Sequence, residues 1–283
     1  MMGSPRHYST SQKLTCGLSC ALLLSLALAA AGQTQTSTPA APRGVVRLRV
    51  RVKLDETSKR PVGLGRKRFF LIKGSLAENK ALVQSIEQRP VVSRDCFYRG
   101  IGASPMLIAW LTQGDCESIY CREVAAGDLE GPNAVPEFQQ AVAAGEKEFG
   151  SPELARKWLA VNLRDEVRSG FYKRQQQDLQ ALLKQTEAAS GAKVISVMTD
   201  QNGTAYFTGL EPGTYLISNL LPSEIGNRAV LWNCEVTVKP GDLATEKPFL
   251  ISNPANKEKN VRCMAIEKPL PACPAAAGSP TSR

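Results

Sequence analysis

Thr199-Asp-Gln-Asn-Gly-Thr-Ala-Tyr-Phe-Thr-Gly-Leu-Glu-Pro-Gly-Thr-Tyr215 is the stretch that decides the fold. It reads as the end of a strand, a tight turn, a strand, a second turn and a third strand. Asn202-Gly203 is the dipeptide that best tolerates the positive φ values of a type I′ hairpin turn. Pro212-Gly213 sets the second turn, because Pro fixes φ and Gly supplies a left-handed residue after it. A chain that folds back twice within about fifteen residues builds an antiparallel β domain.

Strand character extends on both sides of that stretch, from Val194 to the run Phe249–Asn253. A separate β block stands far upstream. Val46, Leu48, Val50, Val52 and Leu54 alternate with Arg47, Arg49, Arg51 and Lys53, and strict period two marks a half-buried strand. Residues 68–73 form a second strand, closed by Gly74. Two strands alone do not make a stable sheet, so residues 44–75 and 192–253 are expected to share one β sandwich.

The segment between them, 76–191, changes period and is read as a mainly helical insertion. Residues 76–88 are helical. Ser104-Pro105 is an N-cap followed by Pro at the first helical position, opening a short apolar helix through Trp110. Residues 136–149 form another helix. Ser151-Pro152-Glu153 opens a long one, with Leu154, Trp158, Val161 and Leu163 on one face and a kink expected at Gly170. The helical region ends near Gly191.

The start of the chain reads as a leader. Arg6 and Lys13 precede an apolar run from Leu14 to Ala31, and Ala29-Ala30-Ala31-Gly32 supplies the small residues of a cleavage site. Residues 1–32 are therefore expected to be a signal peptide and 33–43 a polar linker. The protein is expected in a bacterial periplasm, at the cell surface or secreted, with no stable membrane span after cleavage. Cleavage removes His7, the one histidine, which excludes Ser-His-Asp and Cys-His catalysis and the common zinc-ligand sets. It also lowers the formal charge from +9 to +7. A moderately basic exported protein suits carbohydrate or an envelope protein, either of them anionic, and not nucleic acid. Neither a metal nor a cofactor is expected.

Cys96, Cys116, Cys121, Cys234, Cys263 and Cys273 remain after cleavage. An even count in an exported chain reads as a disulfide framework whose pairing is open. Three cysteines lie early and three late, so at least one bridge must join the two regions. That bridge is expected to tie the tail, 254–283, to the insertion.

Two segments carry a family resemblance. Val52-Lys-Leu-Asp-Glu-Thr-Ser-Lys-Arg-Pro-Val-Gly63 resembles the opening of prealbumin-like repeats of the collagen-adhesin B type. The run from Thr199 to Tyr215 resembles a segment shared by those repeats and by carboxypeptidase-regulatory-like domains. The resemblance implies an α+β chain built on an immunoglobulin-like or transthyretin-like antiparallel sandwich of about seven strands. It also implies a stalk, adhesion or carbohydrate-binding-like role without catalysis. Some members form a Lys–Asn isopeptide bond, which would nominate Lys53 and Asn253. The bond is not expected here: Asn219 stands where the assisting acid should be, and Lys53 shares the outward parity of Arg47, Arg49 and Arg51.

Among individual residues, Arg47, Arg49, Arg51 and Lys53 are the binding candidates. Their charges would stand about 6.6–7 Å apart along one face, either as a stripe for an acidic polysaccharide or as a solvated face that resists aggregation. Arg164, Arg168, Lys173 and Arg174 form a second basic segment. Trp110 and Trp158 are expected to pack on helical faces, and Trp232 beside Cys234. Catalytic motifs are absent, and Ser190-Gly-Ala-Lys193 matches S-x-x-K only at a helix end. Glu117, Glu123, Asp128 and Glu130 form the dense acidic cluster that the first alternative, a carboxylate-based glycan hydrolase with its cleft formed by the helical insertion, would need; the second alternative is a purely structural envelope spacer.

Overall fold

The computed structural model describes residues 42–54, 60–242, 248–253 and 262–273. The expected leader, most of the linker, and residues 254–261 and 274–283 of the tail lie outside the described residues. The strands are β1 (Gly44–Val52), β2 (Val62–Gly63) and β3 (Arg68–Lys73). Helices follow: α1 (Lys80–Gln88), α2 (Arg94–Gly100), α3 (Pro105–Gln113), α4 (Ala126–Leu129), α5 (Pro136–Phe149), α6 (Pro152–Lys157) and α7 (Phe171–Ser190). Strands then resume as β4 (Ile195–Met198), β5 (Thr204–Leu210), β6 (Gly213–Ser218), β7 (Ser223–Ile225), β8 (Arg228–Val238), β9 (Phe249–Asn253) and β10 (Arg262–Pro269).

These strands form two sheets. In sheet A, β1 is flanked by β2 and β5 and by β9; sheet B runs β10-β8-β6-β3-β4, with β7 beside β8. The upstream and downstream β blocks therefore meet within both sheets, through β1 with β5 and β3 with β6. One core lies between the sheets. Val46, Leu48, Val50 and Val52 of β1 share it with Phe69, Leu71, Ile217, Val230 and Trp232 of sheet B.

Sheet B is covered on its other face as well. Phe70, Ile72, Leu216 and Leu231 pack with Val83 and Ile86 of α1 and Leu179 and Leu182 of α7. Burial on both faces explains why β3 reads as a continuous apolar run, and burial on one face explains the alternation of β1. A third core lies within the helical segment, around Tyr98, Trp110, Phe138 and Phe171.

Helix ends follow the residues. Ser104 Oγ accepts from Leu107 N at 3.1 Å, with Pro105 at the first helical position. Gly191 closes α7 in the left-handed conformation, φ 61°. The expected kink at Gly170 takes the form of a π-helical turn, Glu166–Gly170, leading into α7. A Cβ at Gly170 would press on the Phe97 ring, so the ring would have to shift for any other residue there.

Five expectations need correction. The Asn202-Gly203 turn is not a type I′ hairpin. Only Gly203 has positive φ, 76°; Gly203 N donates to Asp200 O, and the Asp200 carboxylate accepts from Asn202 N and Thr204 N. The strands it joins lie in different sheets, and the Pro212-Gly213 turn likewise carries the chain from β5 in sheet A back to β6 in sheet B. The sandwich is not wholly antiparallel, because β9 crosses over from β8 and runs parallel to β1. Part of the tail is not a tail: β10 pairs with β8 along its full length.

The helix opened by Ser151-Pro152 stops at Lys157 and continues as a tight 3-10 turn, Leu159–Asn162. There Ala155 packs closely against Gly145 of α5. That break re-aims the side chains, so Ala155, Leu159 and Leu163 turn inward while Leu154, Trp158 and Val161 are 44–55% exposed. Trp158 is thus not a packing residue, whereas Trp110 and Trp232 are. No described helix is long and apolar enough to cross a membrane.

Candidate functional site

Helices pack on sheet B, and among the described residues no helix packs on the outer face of sheet A, where β1 places its basic row. Arg47, Arg49 and Arg51 are half-buried between buried neighbours; Lys53 is half-buried too but lies past the end of β1, beside Leu54, which is 45% exposed and not buried as the alternation predicts. The residues across from them carry no charge. Arg47 faces Tyr206 and Arg49 faces Thr204 on β5, while Arg49 and Arg51 face Leu250 and Ser252 on β9. Among the described residues neither Arg47 nor Arg49 forms an ion pair, and the Nε of each is sealed from solvent without an acceptor.

Arg51 donates to Pro61 O at 2.8 Å, which holds its guanidinium over β2. The Lys53 carbonyl accepts from Arg228. Tyr206 is half exposed, so an aromatic ring borders the guanidinium row.

A second feature escaped sequence reasoning because its residues come from six separate segments. A cleft of about 100 Å³ opens between β3, α7, the 115–117 loop and the 219–224 segment. Its floor is a charge network in which Lys67 and Arg94 are buried and Asp115 is exposed. Lys67 Nζ lies 3.0 Å from Asp115, and Arg94 is 3.6 Å from Asp115 and 3.7 Å from Glu224. Arg94 also donates from its backbone N to Glu224 at 2.7 Å and from Nη1 to Cys116 O at 3.1 Å. Burial pushes the Glu224 carboxyl above its ordinary value, although the Arg94 backbone N–H and guanidinium pull the other way.

The sequence-nominated acids do not assemble. Glu117 lines the cleft, but Asp128 caps the Ala125 N–H and Glu130 pairs with Arg156 at 2.6 Å. The basic segment around α7 is turned to local use: Asp165 binds both Arg168 and Lys173, whose hydrogen bonds hold its carboxyl below the ordinary value. Phe171 is buried. Asn219 is committed to structure, accepting from Trp232 N at 2.9 Å and donating to Val230 O at 3.0 Å.

The six described cysteines lie in pairs at disulfide distance: Cys96 with Cys273, Cys116 with Cys121, and Cys234 with Cys263. No cluster of three or more His, Cys, Asp or Glu able to hold a metal occurs among the described residues. Comparison with protein-family models, curated proteins and solved structures gave no match for this chain.

Proposed function

We propose that this chain is an exported, non-catalytic binding protein of the cell envelope. Its outer sheet A face takes an anionic carbohydrate or an acidic envelope partner. The observation that carries the reading is the row Arg47, Arg49, Arg51 on β1, set over uncharged strand neighbours. A solvated face built to resist aggregation needs charge only at sheet edges, and β1 is a central strand. Guanidinium groups without a carboxylate partner among the described residues gain, through their terminal N–H donors, from carboxylate or sulfate oxygens presented by a ligand.

The resemblance to adhesin repeats and carboxypeptidase-regulatory-like domains points the same way. So do the cysteine pairs, which suit an oxidising compartment. The Cys96–Cys273 pair would tie the helical insertion to the C-terminal segment. A glycan array probed with the full-length protein tests the reading, with retention of acidic glycans and no retention of neutral ones as the expected result.

One observation favours a second reading, a carboxylate-based glycan hydrolase. Asp115, Glu117 and Glu224 line one cleft, and Glu224 holds its proton more tightly than an ordinary carboxyl. Asp115 and Glu224 are nevertheless occupied by Arg94 and Lys67, which favours binding over catalysis. Release of shortened glycan from the same array would reverse that preference.

A further inference from the structure

We propose that the cleft between β3 and α7 is a separate binding site for a small ligand bearing one anionic oxyacid group, a carboxylate or a phosphate. Three observations converge on it. The first is backbone strain. Among the described residues, Arg66, Asp115 and Leu220 are the non-glycine positions with positive φ, at 57°, 49° and 54°. Arg66 and Asp115 line the cleft, and Leu220 lies between lining residues Asn219 and Leu221. Each such conformation is strained for a residue with a side chain, and strain of this kind gathers at functional sites.

The second is the charge balance. Lys67 and Arg94 are matched internally by Asp115 and Glu224. At the exposed rim, Arg66 donates one N–H to Cys121 O at 2.9 Å and Arg68 one to Ser196 Oγ at 3.2 Å. Neither has a carboxylate partner among the described residues, so each keeps further donors to offer. Against these two guanidiniums stands the single carboxylate of Glu117, which leaves room for one negative charge.

The third is unused polar capacity. Gln175 and Gln176 of α7 are half-buried in the lining and make no side-chain hydrogen bond among the described residues. Phe70, Phe171 and Leu179 supply an apolar wall beside them. A volume of about 100 Å³ is well below that of sites that enclose drug-sized ligands. It accommodates one head group and not an oligosaccharide, so this site differs in ligand from the sheet A face.

The test is ¹H–¹⁵N NMR on the full-length protein titrated with galacturonate, glucose 6-phosphate or glucose. The expected result is a saturable shift of the Gln175 and Gln176 side-chain amides with at least one of the two anions and none with glucose. The anion that binds more tightly distinguishes carboxylate from phosphate. Arg66→Gly keeps the left-handed backbone without strain; combined with Arg68→Gln, it should weaken binding at least about tenfold. Should that pair misfold, Gln176→Ala with Arg68→Gln serves the same purpose. Arg49→Glu with Arg51→Glu should leave these shifts unchanged, which separates failure here from failure of the sheet A reading. Equal response to glucose, no saturable shift with either anion, or undiminished binding by the rim variants would overturn the proposal.

Discussion

Gly203 is where a single residue commits the chain to crossing between sheets. Its φ of 76° is left-handed, its carbonyl accepts from Val50 N at 2.7 Å, and a Cβ there would collide with Val50 O and crowd Leu64 N. Gly203→Ala should therefore cost at least about 2 kcal/mol in chemical denaturation; a cost near zero would mean that the turn is free of β1. Glu224 makes a prediction of opposite character. Burial raises its pKa from 4.5, so the stability this group contributes is full below about pH 4.5 and is lost as pH rises through its folded value. The denaturation midpoint of the wild type should fall relative to Glu224→Gln across that rise, and a wild type that gains on the variant would refute the direction. Asn-Gly announced a turn correctly, but the dipeptide alone does not say whether the flanking strands pair. That depends on Val50 and Leu64, more than a hundred residues upstream.

At the level of elements, local signals were legible wherever one face met one environment. The alternation from Val46 to Val52 gave β1, and the Ser-Pro and Gly signals gave the ends of α3 and α7. The reading failed at α6, where apolar spacing of Leu154, Trp158 and Val161 promised a packed helical face. The helix ends at Lys157 and gives way to the tight turn Leu159–Asn162, and those three side chains stay outside. Trp158→Ala should then change stability by less than about 0.5 kcal/mol. Trp110→Ala, which removes a ring packed edge-on to Phe138 at 5.1 Å, should cost about 3–5 kcal/mol. Comparable losses at the two positions, measured by urea unfolding, would contradict the corrected placement. The cleft was invisible for a related reason: Arg66, Asp115, Gln175 and Glu224 become neighbours only when β3, α7 and two loops pack together.

Across the whole molecule, the helical excursion between β3 and β4 covers one face of sheet B and, among the described residues, leaves the outer face of sheet A without a helix. Cys96 of α2 and Cys273 of the C-terminal segment, 177 residues apart, lie at disulfide distance. Replacing both cysteines with Ser should cost about 2–5 kcal/mol. Amide exchange should quicken in α2 and α3 while β1, β6 and β8 stay protected; uniform loss across the sandwich would show that the link holds the whole fold and not the insertion. The odd number of cysteines in each half made a bridge between the halves legible in advance, but the partner of Cys96 was not, since pairing depends on where β10 runs. The most direct measurement is the affinity of immobilised polygalacturonate for the wild type and for Arg49→Glu with Arg51→Glu, at low and physiological salt. A binding face on sheet A predicts salt-sensitive retention by the wild type and at least about tenfold weaker binding by the folded variant. Equal affinity of the two proteins would contradict it.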